Sequence, residues 1–378
     1  MATINPRRVL QVFSSLDKGG AETRVMQMYR IIDRSRVQFD FVVTTPGEQF
    51  YFEEIRKLGG RIFFVDSWRK LGMSGYQKQW ADIFKQEKYC AVHAHTTLDC
   101  GIALHFAKKA GIEIRVAHAR NAKVSLNPSI LQQLKNVLMK SLTRRTSTRK
   151  VACSTQAAEY LFGRRAVRQG KVVLLPDATD LRPFCNLQTD AHTYKKKLNI
   201  DGFSYVIGTV GNARPVKNHP FLIRAFHAFL QQYENSVLII AGRNDADQEA
   251  KRLVRQFGID DHVRFLGEWN EIPELLMVMD VFIMPSFYEG GPSSVVEAQA
   301  ANLPCILSDS LTREIDVGIG LVKYISLNAP IEAWVKEMYD SCKMKRPNHE
   351  ETWNMIKSKG YDIESNAREL MKIYRLDD

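Results

Sequence analysis

Two carboxylates, Glu289 and Glu297, flank the turn Gly290-Gly291-Pro292 and the pair Ser293-Ser294. An apolar run ends at Pro285, and a helical pattern begins near Ser294. A helix that starts directly after a glycine turn offers free N–H groups and the positive end of its dipole to an anion. An ionised carboxylate only accepts hydrogen bonds. Glu289 on the turn therefore suits sugar hydroxyls, and Glu297, one turn inside, suits the two hydroxyls of a ribose. Ser294-x-x-Glu297 also reads as a capping box, a purely local role. A second cluster is Gly211-Asn212-Ala213-Arg214-Pro215-Val216-Lys217-Asn218-His219-Pro220. Pro220 suits a first helical position, with His219 or Asn218 as cap. Lys217 and Arg214 beside that helix N-terminus suit a diphosphate; a basic surface loop is the plainer reading. A third is Asp17-Lys18-Gly19-Gly20-Ala21-Glu22. Gly19 and Gly20 let backbone approach a ligand, but the run is neither GxGxxG nor a P-loop, and an ordinary tight turn is the alternative.

His93, His95 and His118 all fall at the ends of strand-like runs. Residues i and i+2 of a strand share a face, so His93-Ala94-His95 invites a two-histidine metal site. No third ligand is evident, and the histidines are expected to line a binding surface instead; no metal ligands are assigned. Asp245-Ala246-Asp247 resembles a metal-binding DxD but precedes a helical pattern and is read as a cap.

These groups need a scaffold that places loop after loop on one edge. The chain supplies one by alternating β-branched runs with amphipathic segments. Strands are expected at Val9–Phe13, Phe39–Thr44, Arg61–Val65, Ala91–Ala94, Ile114–Ala117 and Lys150–Cys153, with helices such as Ala21–Ile32 and Phe50–Leu58 between them. The stretch Leu174–Gly202, with Pro176, Pro183 and a polar run, reads as a connection. The pattern restarts with strands at Ser204–Val210, Ser236–Ala241, Val263–Leu266, Val281–Pro285 and Pro304–Ser308. Helices Phe221–Tyr233 and Asp247–Phe257 lie between them, and Glu332–Leu376 is helical throughout. This order implies two parallel sheets covered on both faces. The expected division is 1–180, a linker at 181–202, 203–355, and a C-terminal helix in 356–378 returning to the first domain. Open parallel sheets bind ligands at the carboxyl ends of their strands, where strand order reverses. Every cluster above lies in such a loop or at the end of a strand that leads into one.

The length of 378 residues suits two domains, and no run approaches 18 apolar residues, so no transmembrane helix is expected. Met1–Phe13 lacks the apolar length of a signal peptide, so the protein is expected in the cytoplasm. The six cysteines form no CxxC pair and read as reduced, small apolar residues. The net charge of +11 is concentrated: residues 114–171 hold 13 basic residues and one acidic residue, leaving 40 basic and 41 acidic elsewhere. Within this stretch Leu131–Lys150 reads as a basic amphipathic helix suited to an anionic membrane surface. It lacks interleaved aromatics for base stacking, so no nucleic-acid partner is expected.

Taken together, the Glu289…Glu297 spacing resembles the E-x7-E motif of retaining GT-B glycosyltransferases of family 4, over nearly the whole chain. Lys18-Gly19-Gly20-Ala21-Glu22-Thr23 is similar to the GGAE loop of bacterial capsule and exopolysaccharide members. His93-Ala94-His95, Ala117-His118-Ala119-Arg120-Asn121, Ala152-Cys153-Ser154, Val216-Lys217-Asn218-His219 and Phe265-Leu266-Gly267 also match. The resemblance implies two Rossmann-like domains with parallel sheets facing across a cleft. It implies a nucleotide-sugar donor, a UDP-hexose or UDP-N-acetylhexosamine, and a saccharide acceptor, lipid-linked, at the inner face of the cell membrane. It implies Lys217 with an arginine on the diphosphate, Glu297 on the ribose, Glu289 on the sugar, Gly19 and Gly20 near the phosphates, and His118 lining the sugar site. Gly290, Gly291, Ser293 and Ser294 would take phosphate on backbone, and no metal or other cofactor is required. Two departures stand out: Asn212 occupies the usual arginine position, with Arg214 as substitute, and Asp177-Ala178-Thr179-Asp180 replaces the usual Asn-Gly-Ile-Asp. The rival readings are a sugar-nucleotide epimerase on this fold, a glycosidase using Glu289 and Glu297, and a non-catalytic nucleic-acid binder.

Overall fold

The computed structural model describes residues 5–122, 128–185, 187, 190–243 and 247–376. The chain forms two compact units, Met1–Ala178 with Ile363–Asp378, and Thr179–Asp362. Each is a parallel α/β sheet, and together they make a GT-B-type fold.

In the first unit the strands are β1 Arg7–Val12, β2 Val37–Val43, β3 Ile62–Phe64, β4 Ala91–Ala94, β5 Ile114–Ala119, β6 Arg149–Ala152 and β7 Val173–Leu174. Their order is β3-β2-β1-β4-β5-β6-β7. In the second unit they are β8 Tyr205–Val210, β9 Ser236–Ala241, β10 Val263–Gly267, β11 Val281–Met284, β12 Cys305–Ser308 and β13 Val322–Ile325, in the order β10-β9-β8-β11-β12-β13. All the pairings are parallel.

Side chains alternate across a strand, so a sheet covered on both sides needs apolar residues at consecutive positions. Val9 and Phe39 pack on one face of the first sheet, and Leu10 and Val42 on the other. In the second sheet Val237, Ile239 and Ala241 alternate with Leu238 and Ile240 in the same way. This is why the central strands read as unbroken apolar runs.

The chain re-enters the first unit at Ile363. The helix Ile363–Tyr374 buries Ile363, Ala367, Leu370 and Tyr374, one stripe at helical spacing, in the core that also holds Val9 and Phe39. It packs against the helix Gly20–Ile31. The preceding helix, His349–Ser358, stays with the second unit, where the Trp353 indole donates to the Ala300 carbonyl at 3.1 Å.

Several details differ from the sequence reading. Residues 181–202 are more than a connection: Leu181, Phe184, Tyr194, Leu198 and Ile200 are buried in the core of the second unit. The short helix Ala191–Lys197 starts there, capped by Asp190, whose carboxylate accepts from the His192 and Thr193 N–H groups at 3.0 and 3.1 Å. The basic helix is Ile130–Thr146, and Arg149 and Lys150 belong to β6. Strands β7 and β13 were not anticipated, and the helical segment between β3 and β4, Trp68–Gln86, is broken at Gly72 (φ 70°).

Candidate active site

The second sheet reverses its order between β8 and β11, and the loops after these two strands carry most of the candidate residues. They are tied together by the Phe287 N–H, which donates to the Val216 carbonyl at 2.9 Å. The chain turns through Pro215–Lys217 as a single 3-10 turn, then through Asn218 in the left-handed region (φ 55°), into the helix His219–Leu230. Asn218 makes no side-chain cap bond, and Pro220 occupies the helix's first turn. This geometry sets the Lys217 ammonium 2.8 Å from Oε1 of Glu289, both side chains being about one-sixth exposed, at 15% and 18%. Ser286 donates to the same carboxylate oxygen at 3.2 Å, and the Ser286 carbonyl in turn accepts from Ser308 and Ser310. Glu289 is therefore held from the strand end and Lys217 is held by Glu289.

Glycine makes this packing possible. Gly211 (φ 155°) lies so close to Lys217 that a Cβ there would stand 3.1 Å from Cε and 3.2 Å from Nζ. At Gly242 (φ 132°) a Cβ would meet the Gly211 carbonyl oxygen at 2.3 Å. The two loops are then laced by the Ala213 N–H to the Arg243 carbonyl at 2.7 Å and the Arg243 N–H to the Asn212 side-chain oxygen at 3.0 Å. Asn212, at the usual arginine position, thus helps to shape the loop. Arg214 is exposed, and its charge reaches Tyr288. Burial raises the Tyr288 hydroxyl pKa first, the neighbouring Glu289 charge adds to that, and Arg214 opposes it.

Beyond Glu289, Gly290 is buried, Gly291 half-buried, and Ser293 and Ser294 open the helix Ser293–Ala300. That helix starts from Pro292 without a side-chain cap bond. Ser294 lies inside it, so the capping box does not form. Glu297 stands half-buried one turn in. Asp247 also departs from its expected role. It precedes the helix Gln248–Phe257 but caps nothing with its side chain, and its carboxylate instead meets Nδ1 of the buried His219 at 2.5 Å. Asp245 and Ala246 lie outside the described residues.

In the first unit the order reverses between β1 and β4, and the residues there form a second polar cluster. The Gly19-Gly20 loop follows β1 into the helix Gly20–Ile31, which has no side-chain cap bond. The Glu22 side chain folds back over Gly19, where a Cβ would stand 2.2 Å from its oxygen. A Cβ on Gly20 would meet nothing within 4 Å, so this side of the loop is open to a ligand.

Gln11 of β1 is in register with His93 of β4, and His118 follows the β5 residue paired to Ala94. His93 Nε2 lies 3.0 Å from His118 Nδ1, and His93 Nδ1 lies 2.6 Å from the Tyr374 hydroxyl. His95 Nε2 lies 2.9 Å from the Gln11 oxygen, and His95 Nδ1 accepts from Arg120 at 3.1 Å. The Gln11 amide donates to Tyr374 at 3.0 Å, and Arg120 is paired with Asp177. Phe13 stacks on His95 at 4.3 Å. Thr97 takes φ 52°, a costly conformation for a β-branched residue. Its hydroxyl accepts from the Arg120 N–H at 3.3 Å. Burial holds all three imidazoles well below the ordinary histidine pKa, and the Arg120 charge pushes the same way.

One ligand atom from each histidine fits within a 4.8 Å group, the dimension of a metal site. Yet five of the six ring nitrogens already have hydrogen-bond partners, and a guanidinium abuts one of them. A cation here would have to displace those bonds beside a fixed positive charge, so the cluster as folded is a hydrogen-bonded network rather than a set of open ligands.

The sequence reading overlooked Gln11, Tyr374, Ser286 and Arg243, and gave Asp177 no role. A glutamine inside the apolar run Val9–Phe13 was the available signal, because a buried polar side chain must find partners. Asp177, in the loop where only Asp180 matches the family pattern, grips Arg120. Asp180 of that loop instead accepts from Arg182.

Residues 18–182 match the family described as Glycosyltransferase Family 4, and residues 190–315 match Glycosyl transferases group 1. Over 371 residues, 98% of this chain and 97% of the relative, the sequence is 35% identical to "Putative glycosyltransferase EpsF" of Bacillus subtilis (strain 168). It is 25% identical, over 72% of this chain and 75% of the relative, to the Escherichia coli UDP-Gal:alpha-D-GlcNAc-diphosphoundecaprenol alpha-1,3-galactosyltransferase. The fold matches Anabaena Alr3699/HepE, solved in complex with UDP and glucose, with a TM-score of 0.72 at 16% identity, over 98% of this chain and 97% of the other. With two parallel Rossmann-like sheets, candidate residues at both switch points, and a relative this similar along nearly its whole length, the chain belongs to the GT-B glycosyltransferases related to group 1 and family 4.

Proposed function

We propose that this enzyme transfers a hexose-type sugar from a UDP-sugar to a lipid-linked saccharide acceptor in polysaccharide assembly, with retention at the anomeric carbon and without a metal. The observation that carries the reading is the Lys217–Glu289 pair at the switch point of the second sheet. As the bond from the anomeric carbon to the phosphate oxygen breaks, the diphosphate gains charge. Lys217, Arg214 and the helix start at Ser293 and Ser294 take up that charge, with the half-buried Gly291 beside them. When Lys217 turns to phosphate, Glu289 keeps Ser286 and becomes free to accept from sugar hydroxyls. Glu297 takes the ribose. Gly19, Gly20 and His118 stand at the switch point of the first unit. The acceptor oxygen bonds to the anomeric carbon on the face the phosphate leaves, and its proton passes to the departing phosphate oxygen. A UDP-sugar and a diphospholipid-linked acceptor are supported by the names of the E. coli relative and the Anabaena complex.

The acceptor's membrane is met by the helix Ile130–Thr146. Ile130, Leu134, Val137 and Leu138 form a stripe at helical spacing and are 59–77% exposed. Lys135 and Arg145 are exposed on the same helix. An apolar stripe flanked by cations fits the boundary of an anionic leaflet. No described helix is long and apolar enough to cross a membrane.

The test is a thermal-shift screen against UDP, GDP, ADP and their sugars, followed by product analysis. UDP-dependent stabilisation and a glycosylated product with the donor's anomeric configuration, formed in the presence of a chelator, support the reading. Inversion, a chelator-sensitive rate, or an epimerised nucleotide sugar with no released nucleotide would overturn the corresponding part. Sedimentation with anionic but not neutral vesicles at low salt, lost in Leu134→Glu/Leu138→Glu, tests the membrane surface.

A further inference from the structure

The polar cluster of the first unit has a direction. Arg120 has only donors, so His95 Nδ1, 3.1 Å from it, is an acceptor. A neutral imidazole then carries its hydrogen on Nε2, which donates to the Gln11 oxygen at 2.9 Å. The Gln11 amide nitrogen is thereby turned to Tyr374, to whose oxygen it donates at 3.0 Å. The Tyr374 hydroxyl hydrogen is left for His93 Nδ1 at 2.6 Å. His93 must then carry its own hydrogen on Nε2 and donate it to His118 Nδ1 at 3.0 Å. His118 in turn is protonated on Nε2, and that buried nitrogen has no partner among the described residues. Every member of the chain is nine-tenths or more buried: Gln11, His93, His95, His118, Arg120 and Tyr374. Water therefore offers no easy route to reverse any one bond.

We propose that this relay, anchored by Asp177 on Arg120 and closed by Tyr374 of the C-terminal helix, locks His118 as a hydrogen-bond donor through Nε2, waiting for an oxygen of the sugar substrate. Tyr374 and Gln11 are positioning residues: they act on His118 through His93 and touch no substrate. The inference rests on the transferase reading for the identity of the oxygen, but not for the direction of the relay. A buried N–H without an acceptor carries an uncompensated desolvation cost, and such a group is retained where a ligand supplies the missing partner. The opposite tautomer would present a lone pair and make His118 a base, so the relay decides between donor and base.

The test is the tautomeric state of His118 in protein labelled with 15N-histidine, read from the two ring nitrogens by long-range proton–nitrogen correlation in the ligand-free enzyme. His118 is assigned by comparison with His118→Gln. The wild type is expected to show a protonated, pyrrole-type Nε2 and a pyridine-type Nδ1 that holds unchanged from pH 8 to about pH 6, because burial keeps the ring neutral. In Tyr374→Phe the ring stays in the core and only the hydroxyl is lost. His93 is then no longer forced to accept on Nδ1, and the His118 signals are expected to shift toward the other tautomer or a mixture. A pyridine-type Nε2 in the wild type would overturn the relay. An unchanged His118 in a folded Tyr374→Phe would overturn the part given to Tyr374. Should that variant not fold, Gln11→Met tests the preceding link by the same signals, and an unchanged His118 there would equally remove Gln11 from the relay. No substrate is present in these spectra, so a failed relay leaves the transferase reading standing, and a failed transferase reading leaves the tautomer as it is.

Discussion

Replacing Lys217 by Met removes one charge and keeps the stem that packs in the loop. In the resting protein the ammonium sits 2.8 Å from Glu289, with its side chain 15% exposed. A charge about 4 Å from a phosphate, at the effective dielectric of such a site, is worth up to about 4 kcal/mol. Loss of one preorganised donor to a developing anion typically costs 10²–10³ in rate, about 3–4 kcal/mol. The effect on folding is different. Glu289 keeps Ser286 at 3.2 Å and some contact with water. The lost pair should therefore cost about 1 kcal/mol or less, a fall in Tm of roughly 2–4 °C for a unit of this size. The expected result is a loss of kcat/KM of about 10²–10³ in a protein that melts almost normally, measured by nucleotide release at limiting donor and by calorimetry. A kcat/KM within about threefold of the parent, less than 1 kcal/mol, would refute the assignment of Lys217 to the diphosphate. An equal loss of activity and stability would make the pair structural.

Gly211→Ala should weaken donor binding by roughly tenfold, about 1.4 kcal/mol, because the new methyl stands 3.1 Å from Lys217 Cε, must shift that side chain by a few tenths of an ångström and strains the backbone at φ 155°; titration calorimetry with the nucleotide is the check. Gly242→Ala should be worse for folding, by about 1–3 kcal/mol, since its Cβ would meet backbone, the Gly211 carbonyl, at 2.3 Å; denaturant titration reads this. Asp40 is fully buried and is met by Arg8, by the side chain and N–H of Arg61, and by Tyr89. Asp40→Ala leaves Arg8 and Arg61 with Glu87 as their remaining acid and takes the acceptor from the buried Tyr89 hydroxyl, so it should destabilise the first unit by about 1–3 kcal/mol, again by denaturant titration. His93, His95 and His118 stay neutral in the fold, held well below 6.5 by burial, but charge when unfolded. The unfolded chain thus binds more protons below pH 6.5, so the stability they support is complete above that value and is lost as the pH falls. The slope should approach about 1.4 kcal/mol per pH unit for each histidine, and Tm should drop from pH 7 to pH 5; a Tm flat over that range would contradict it.

Much of this fold was legible because parallel sheets announce themselves. Val237-Leu238-Ile239-Ile240 must be covered on both sides, and β9 falls where such a run predicts. The loops after the strands were likewise readable, since Gly211, Gly290 and Gly291 mark where backbone turns sharply. Short edge strands were not: β7 has two residues, too few to show alternation. Residues 181–202 misled because their polar run hides apolar positions, Leu181, Phe184, Tyr194, Leu198 and Ile200, that fill a neighbouring core. Within the candidate site, charge was readable and polarity buried in the core was not. Lys217 and Glu289 stood out as a cation and an acid in glycine loops. Tyr374 lies 281 positions from His93 and gives no local sign of meeting it. The Ser294-x-x-Glu297 pattern fitted a capping box that does not form, because Pro292 takes the cap position and Ser294 falls inside the helix.

The pairing of a donor diphosphate with Lys217 is what the rest depends on. A crystal structure of the protein with whichever of UDP, GDP or ADP gives the largest thermal shift should place the β-phosphate in hydrogen-bond reach of the Lys217 ammonium, with Glu289 released from it. A diphosphate seated elsewhere with the Lys217–Glu289 pair still closed, or no shift with any of the three nucleotides, would contradict it.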